Sequence, residues 1–264
     1  MTDMKISVCL DMMFSDIAFD GRIEAAQAAG INAVEFWKWT NKDVDGIAEE
    51  LKRRNMRLTV FNVDSNDPML SGDLMRGILN AGRKEELLAA IKESAPAYKR
   101  LGATAMIVLV GNTIDGLSEE EQRENTFDCL MYVRDYVEQE GITLVVEPLN
   151  SVDRAGYFMP YAAPLMEILQ RVNSPRIKML YDIYHQNVMG DFDLGFIKEN
   201  MDFIGHFHVA DCPGRHEPGT GSVDYVSILG EILKASYRGY IGLEYRATCP
   251  DRETFGFLEK IKNA

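Results

Sequence analysis

No stretch of this 264-residue chain approaches the ~20 apolar residues that a membrane-spanning helix needs, so no membrane partner is expected. The first residues, MTDMKISVCLDMMFSD, carry acids inside their apolar stretch and lack a cleavable hydrophobic region, which leads to the expectation of an untargeted, cytoplasmic protein. Cysteine is sparse. Cys9, Cys129, Cys212 and Cys249 stand far apart, without the paired spacing of a zinc site or of a secreted disulfide framework. Basic side chains are in deficit, 28 Lys and Arg against 41 Asp and Glu, for a formal net charge of −13. Binding to a phosphate backbone relies on Lys and Arg displacing counterions, so nucleic acid drops out as an expected partner. A Gly-rich phosphate turn is also missing after the first apolar run, where the residues read LDMMFSD, and this argues against a nucleotide-binding doubly wound sheet. No linker or low-complexity tract divides residues 1–264, so one domain is expected.

What is present alternates. Short apolar or β-branched runs at Ile6–Leu10, Ala33–Trp37, Leu58–Asn62, Ala105–Val110, Leu144–Glu147, Lys178–Asp182, Ile204–Val209 and Tyr240–Tyr245 read as buried parallel strands. Between them, apolar residues recur at three- and four-residue spacing over Arg22–Ala29, Val44–Arg54, Arg83–Leu101, Glu119–Glu140, Tyr161–Val172, Tyr225–Ser236 and Arg252–Lys262, which predicts helices. The helical pattern after the sixth strand, around Phe192–Asn200, is weaker. Gly30, Gly102 and Gly141 stand where helices should stop. Eight such units over this length predict one α/β domain, a single (β/α)8 TIM barrel. Val63–Asn80, carrying Pro68, Gly72 and Gly77, is expected to be an irregular loop over the site.

All four histidines, His185, His206, His208 and His216, fall in one short stretch, bracketed by carboxylates at predicted strand ends. VVEPLN places Glu147 at the end of the fifth strand, LYDIYH places Asp182 at the sixth, HFHVAD places His208 on the seventh and GLEY places Glu244 on the eighth. In a barrel those ends surround the active site, so four neighbouring strands should bring these side chains together. Any one of them is as readily a buried acid paired with Lys or Arg; all four together are harder to explain that way.

Three carboxylates and one imidazole form a hard, oxygen-rich set that suits a divalent Mg2+ or Mn2+ better than the Cys and His cage typical of zinc. His206, two residues before His208, shares its face one layer deeper and is expected to hydrogen-bond a ligand carboxylate. His185, expected on the loop after Asp182, is placed to reach a substrate oxygen. The turn-rich segment DCPGRHEPGTG carries Arg215, His216 and Glu217, and an arginine there suits a carboxylate or hydroxyl. Met residues and aromatics such as Phe36 are expected in the core, with Trp37 and Trp39 near enough to a strand end to line an apolar wall. The acidic run SEEEQREN reads as a solvated helix start.

Taken in order, EPLN, YDIYH, HFHVAD, PGRHEPGTG and GLEY resemble the hydroxypyruvate isomerase family of the xylose-isomerase-like barrels, over nearly the whole chain. PGRHEPGTG and YDIYH are the specific signals. The resemblance implies that Glu147, Asp182, His208 and Glu244 hold the metal, that Glu147 and Glu244 act as bases on opposite faces of a small hydroxy-carbonyl or sugar-like substrate, and that His185, Arg215 and Asp153 bind it. It implies proton transfer between adjacent carbons through an enediolate, and association of barrels through helices beside the mouth. Members commonly carry Gln where this chain has His208, and a Gly-rich loop where it reads DSNDPMLSGDLMRG. The same site chemistry also serves a ketose 3-epimerase, an inosose isomerase or dehydratase, or an oxidised-glycoside lyase. A phosphodiester nuclease on this barrel would need more histidines and a basic face; a sugar-binding or scaffolding subunit would keep the fold without the metal.

Overall fold

A computed structural model describes residues 4–262. Its parallel strands are β1 Lys5–Cys9, β2 Ala33–Glu35, β3 Arg57–Leu58, β4 Val60–Asn62, β5 Ala105–Leu109, β6 Leu144–Glu147, β7 Ile177–Asp182, β8 Ile204–Val209 and β9 Tyr240–Leu243. They run in one sheet in the order β3-β2-β1-β9-β8-β7-β6-β5-β4. The ends of that order, β3 and β4, are two halves of one extended stretch interrupted at Thr59. The Thr59 N–H donates to the Val34 carbonyl on one side, and its own carbonyl accepts from Ala105 on the other, at 2.9 and 3.1 Å. The sheet therefore closes as an eight-unit barrel, as expected, with the third expected strand present in two pieces.

The helices are α1 Phe19–Ala28, α2 Val44–Arg54, α3 Pro68–Arg76, α4 Lys84–Leu101, α5 Glu119–Glu140, α6 Ala162–Val172, α7 Ile183–Val188, α8 Leu194–Glu199, α9 Tyr225–Lys234 and α10 Gly256–Lys262. Local chemistry sets several of them. Ser118 and Glu121 form a reciprocal capping box that starts α5, and Gly141, at φ 67°, stops it. On α6, Leu165, Met166, Ile168, Leu169 and Val172 are buried; side chains of this kind contribute about 1.5–3 kcal/mol each when fully buried.

Three expectations need correction. Val63–Asn80 is not irregular throughout, because Asp67 caps α3 by accepting from the Met69 N–H at 2.9 Å and Pro68 occupies the first turn, where its missing N–H costs nothing. The last helix is broken, a 3-10 turn at Asp251–Glu253 preceding α10. Residues 183–188, expected as a loop, form the six-residue helix α7, while the weak pattern around Phe192–Asn200 is borne out as α8, also six residues and too short to show a full apolar stripe.

Gly111, at φ 103° just past β5, lets α3 lie against the barrel mouth. A Cβ built there would sit 1.9 Å from the Cα of Gly77, and Asn112 donates its N–H to the Arg76 carbonyl at 2.6 Å. Backbone cannot yield as a side chain can, so Gly111→Ala is expected to lower stability by roughly 3 kcal/mol or more. The check is urea unfolding of both proteins; an unchanged midpoint would show that the α3 segment moves aside freely.

Candidate active site

At the C-terminal ends of the strands the sheet registers Asp182 beside His208, and His208 beside Gly242, two residues before Glu244. Glu147 ends β6 and Asp182 ends β7. Glu244 lies one residue past β9 rather than on it, since the strand pairing stops at Leu243. The four side chains expected to converge do so. Glu147, Asp182, His208 and Glu244 each offer a ligand atom, all within 4.8 Å of one another, and all four are buried. His208 Nδ1 lies 3.4 Å from Glu147 Oε1 and 3.5 Å from Glu244 Oε2.

This geometry fits a small hard cation. Ligands about 2.1 Å from an octahedral centre stand about 3 Å apart on adjacent vertices and about 4 Å apart across it. Two atoms in the cluster, Glu147 Oε1 and His208 Nδ1, are buried without a hydrogen-bond partner, and orphans of that kind are costly unless something else meets them.

The two glutamates sit in different surroundings. Glu244 is held at both oxygens, Oε1 by the Trp37 indole N–H at 2.7 Å and Oε2 by the Arg215 guanidinium. Burial disfavours its charge, yet Arg215, His208 and that indole outweigh burial and hold its pKa below the ordinary value. Glu147 lacks such donors, and burial raises its pKa although His208 pulls the other way. Burial likewise raises Asp182 against the pull of Arg215 and His208. For His208, burial would depress the imidazolium, but Glu244, Glu35 and Glu147 together hold its pKa well above the usual range.

His185 lies within α7 rather than on a loop, because Asp182 caps that helix through Oδ1, accepting from the N–H groups of Tyr184 at 2.8 Å and His185 at 3.4 Å. Its Nδ1 accepts the Asn150 N–H at 3.2 Å, so its proton resides on Nε2, 3.3 Å from Asp182 Oδ2. Burial and Arg215 push its pKa down to about 4, which keeps the ring neutral at ordinary pH. Arg215, in the left-handed backbone region at φ 57°, also lies 3.8 Å from Asp182 and 5.1 Å from the centre of the Tyr184 ring. Asp153 accepts from Tyr184 Oη at 2.8 Å and Asn150 Nδ2 at 2.9 Å.

These groups open onto a cavity of about 380 Å3 whose walls include Trp37, Leu109, Asp153, Arg154, His185 and Arg215. His216 and Glu217, on the same loop as Arg215, stay out of it: His216 meets the Arg246 carbonyl at 2.7 Å, and Glu217 accepts from the Thr248 N–H at 2.9 Å. Trp39 turns away to Ser94 Oγ at 3.0 Å. His206 does not reach a carboxylate of the cluster as expected. Its Nε2 meets Glu35 Oε2 at 3.1 Å, because Glu35 reaches into the barrel from β2 and fills the layer beneath. Trp37 lines the cavity as expected, though its hydrogen bond to Glu244 was not foreseen, and Glu35 and Asn150 carry no expectation from the sequence. An acid closing the apolar run AVE was the available signal for Glu35.

Residues 23–261 match the family described as xylose isomerase-like TIM barrel. A hydroxypyruvate isomerase of Escherichia coli is 30% identical over 92% of this chain and 93% of its own. A 2-oxo-tetronate isomerase of Pectobacterium atrosepticum is 26% identical over 97% of both chains. Among solved structures, one from Brucella melitensis described as an AP endonuclease of family 2 superposes with a TM-score of 0.88 at 27% identity, covering 98% of each chain.

Proposed function

The chain belongs to the xylose isomerase-like TIM barrel family and is an isomerase of small sugar-like substrates; from that premise we propose that it is metal-dependent and acts on an α-hydroxy-carbonyl acid. The observation that carries the reading is the convergence of Glu147, Asp182, His208 and Glu244 with two orphaned ligand atoms facing inward. A divalent cation such as Mg2+ or Mn2+ held by these four would supply Lewis acidity to adjacent substrate oxygens and so acidify the carbon-bound proton between them.

The chain's own groups do the rest. Glu147 and Glu244 take the proton from one carbon and return it to its neighbour through an enediolate, one from each side of the substrate. His185 donates its Nε2–H to a substrate oxygen, its tautomer set by the Asn150 backbone. Arg215, whose guanidinium approaches the same Asp182 Oδ2 as His185 Nε2, binds a neighbouring substrate oxygen, and Asp153 orients Tyr184 beside them. A barrel mouth enclosing a few hundred Å3, on a chain of net charge −13, suits a small polar molecule rather than a duplex.

The direct test incubates the protein with hydroxypyruvate, a 2-oxo-tetronate and a panel of neutral ketoses, with Mg2+, Mn2+ or EDTA, in deuterated water. Metal-dependent deuterium incorporation at a substrate carbon is the expected result. A filled metal site with no exchange on any substrate would instead favour the lyase or dehydratase chemistry.

An acid substrate is supported by the cavity's cations. Lys42 is paired with Asp11 at 3.3 Å, Lys38 with Asp64 at 3.6 Å and Arg215 with Glu244. Arg154 lines the same wall, and among the described residues its guanidinium has no ion pair or hydrogen bond. Arg154→Met is therefore expected to raise KM for a carboxylate-bearing substrate by about 10- to 100-fold, the worth of one charge-assisted hydrogen bond, while leaving kcat and the KM of neutral ketoses near their original values. Equal losses on acid and neutral substrates would remove Arg154 from carboxylate recognition.

A further inference from the structure

Beneath the four converging side chains lies a layer that is polar where a barrel interior is usually branched and apolar. Its centre is Glu35, 2% exposed and far from bulk water. Glu35 Oε2 accepts from Ser7 Oγ at 2.8 Å, Thr59 Oγ1 at 2.9 Å and His206 Nε2 at 3.1 Å. These donors come from β1, from the break between β3 and β4, and from β8, so one carboxylate oxygen is saturated by three strands around the barrel. The other oxygen, Oε1, has no such donor. It lies 3.1 Å from His208 Nε2, and the ring does not aim that N–H squarely at it.

The opposite wall of this layer has no slack. A Cβ on Gly242 would lie 2.4 Å from Glu35 Oε1 and 2.8 Å from His206 Nε2, so the glycine leaves room for the carboxylate and nothing more. Glu35 is therefore clamped on one oxygen and at its back, while its remaining oxygen faces one nitrogen of His208. The other nitrogen of His208, Nδ1, faces Glu147 and Glu244.

We propose that Glu35 is a positioning residue for His208. It receives the Nε2 proton, and so presents the Nδ1 lone pair to the space between Glu147, Asp182 and Glu244. A cation between the carboxylates would displace the second proton that they otherwise favour on His208; the neutral imidazole that remains can hold its proton on either nitrogen, and only one tautomer leaves Nδ1 free to bind. A carboxylate behind a ligating imidazole fixes that tautomer and the ring plane together, and makes the ligating nitrogen more basic. Ser7, Thr59, His206 and Gly242 act through Glu35 by holding it in place. The inference rests on the reading of the four converging residues as metal ligands.

The experiment is Co2+ binding to wild type, Glu35→Gln and Gly242→Ala, followed by visible absorption and by stoichiometry, with circular dichroism to establish that each variant folds. Glu35→Gln removes the charge and keeps the shape; Gly242→Ala keeps the charge and displaces it. Wild type is expected to bind one Co2+ per chain. Both variants are expected to bind it about 10- to 100-fold more weakly with altered visible bands, and to regain activity as Mn2+ is raised, which a general folding defect would not do. Wild-type affinity and spectrum in folded variants would overturn the role of Glu35 while leaving the metal site standing. Two Co2+ per wild-type chain, one of them lost in Glu35→Gln, would replace positioning by a second ion among Glu35, His206 and His208. A wild type that binds no Co2+ would overturn both readings.

Discussion

Replacing Glu147 or Glu244 by glutamine is expected to lower kcat by about 10²- to 10⁴-fold, the range that a positioned general base contributes, with the fold intact. Glutamine keeps the volume and one carbonyl oxygen but cannot take a proton from carbon. The two variants should differ in what else they disturb. Glu147 Oε1 has no hydrogen-bond partner within the protein, so Glu147→Gln removes little besides the base and one ligand. Glu244 meets both Trp37 and Arg215, so Glu244→Gln leaves a largely buried guanidinium beside a neutral amide, and a stability loss should accompany the loss of turnover. Measuring metal content, deuterium exchange and thermal unfolding on each variant separates these effects. Near-normal turnover in either one, with metal still bound, would show that a single glutamate carries the proton both ways or that the base lies elsewhere.

Chelation is expected to be as severe. Treatment with EDTA should reduce turnover below about one hundredth of its starting value and lower Tm, with both restored by Mn2+ or Mg2+. The activity loss follows from removing the Lewis acid, which is worth several kcal/mol to the proton transfer. The stability loss follows from mass action: a cation present at a hundred times its Kd stabilises the folded chain by about 2.7 kcal/mol. Electrostatics points the same way, since three carboxylates, Glu147, Asp182 and Glu244, lie buried together beside His208 and Arg215. Thermal unfolding followed across a Mn2+ titration of the chelated protein is the measurement. A Tm and a turnover rate that ignore both EDTA and added metal would set aside metal dependence and leave the isomerase to work through its carboxylates and Arg215 alone.

Much of the framework could be read locally. Val44–Arg54 and Glu119–Glu140 carry their own caps and stripes, and both helices occupy those residues in the structure. Ile204–Val209 and Leu144–Glu147 are apolar runs that end at or beside a charge, and both are strands over those residues. The reading failed where the local signal was short or was masked by turn residues. Asp67 and Pro68 begin a helix inside a segment whose glycines suggested a loop, and Asp182 serves both as a strand end and as the cap that draws His185 into α7.

The sequence by itself determined the order of strands and helices, and it determined which side chains stand at the strand ends, because side-chain period and capping chemistry act over a few residues. It therefore carried Glu147, Asp182, His208 and Glu244 as a set. Which groups meet that set was decided only by the closed barrel. Glu35 on β2 lies far from His206 and His208 along the chain, and Trp37 lies as far from Glu244, yet each pair is in contact. Those meetings depend on the tilt and stagger with which the sheet closes on itself, a property of all its strands together.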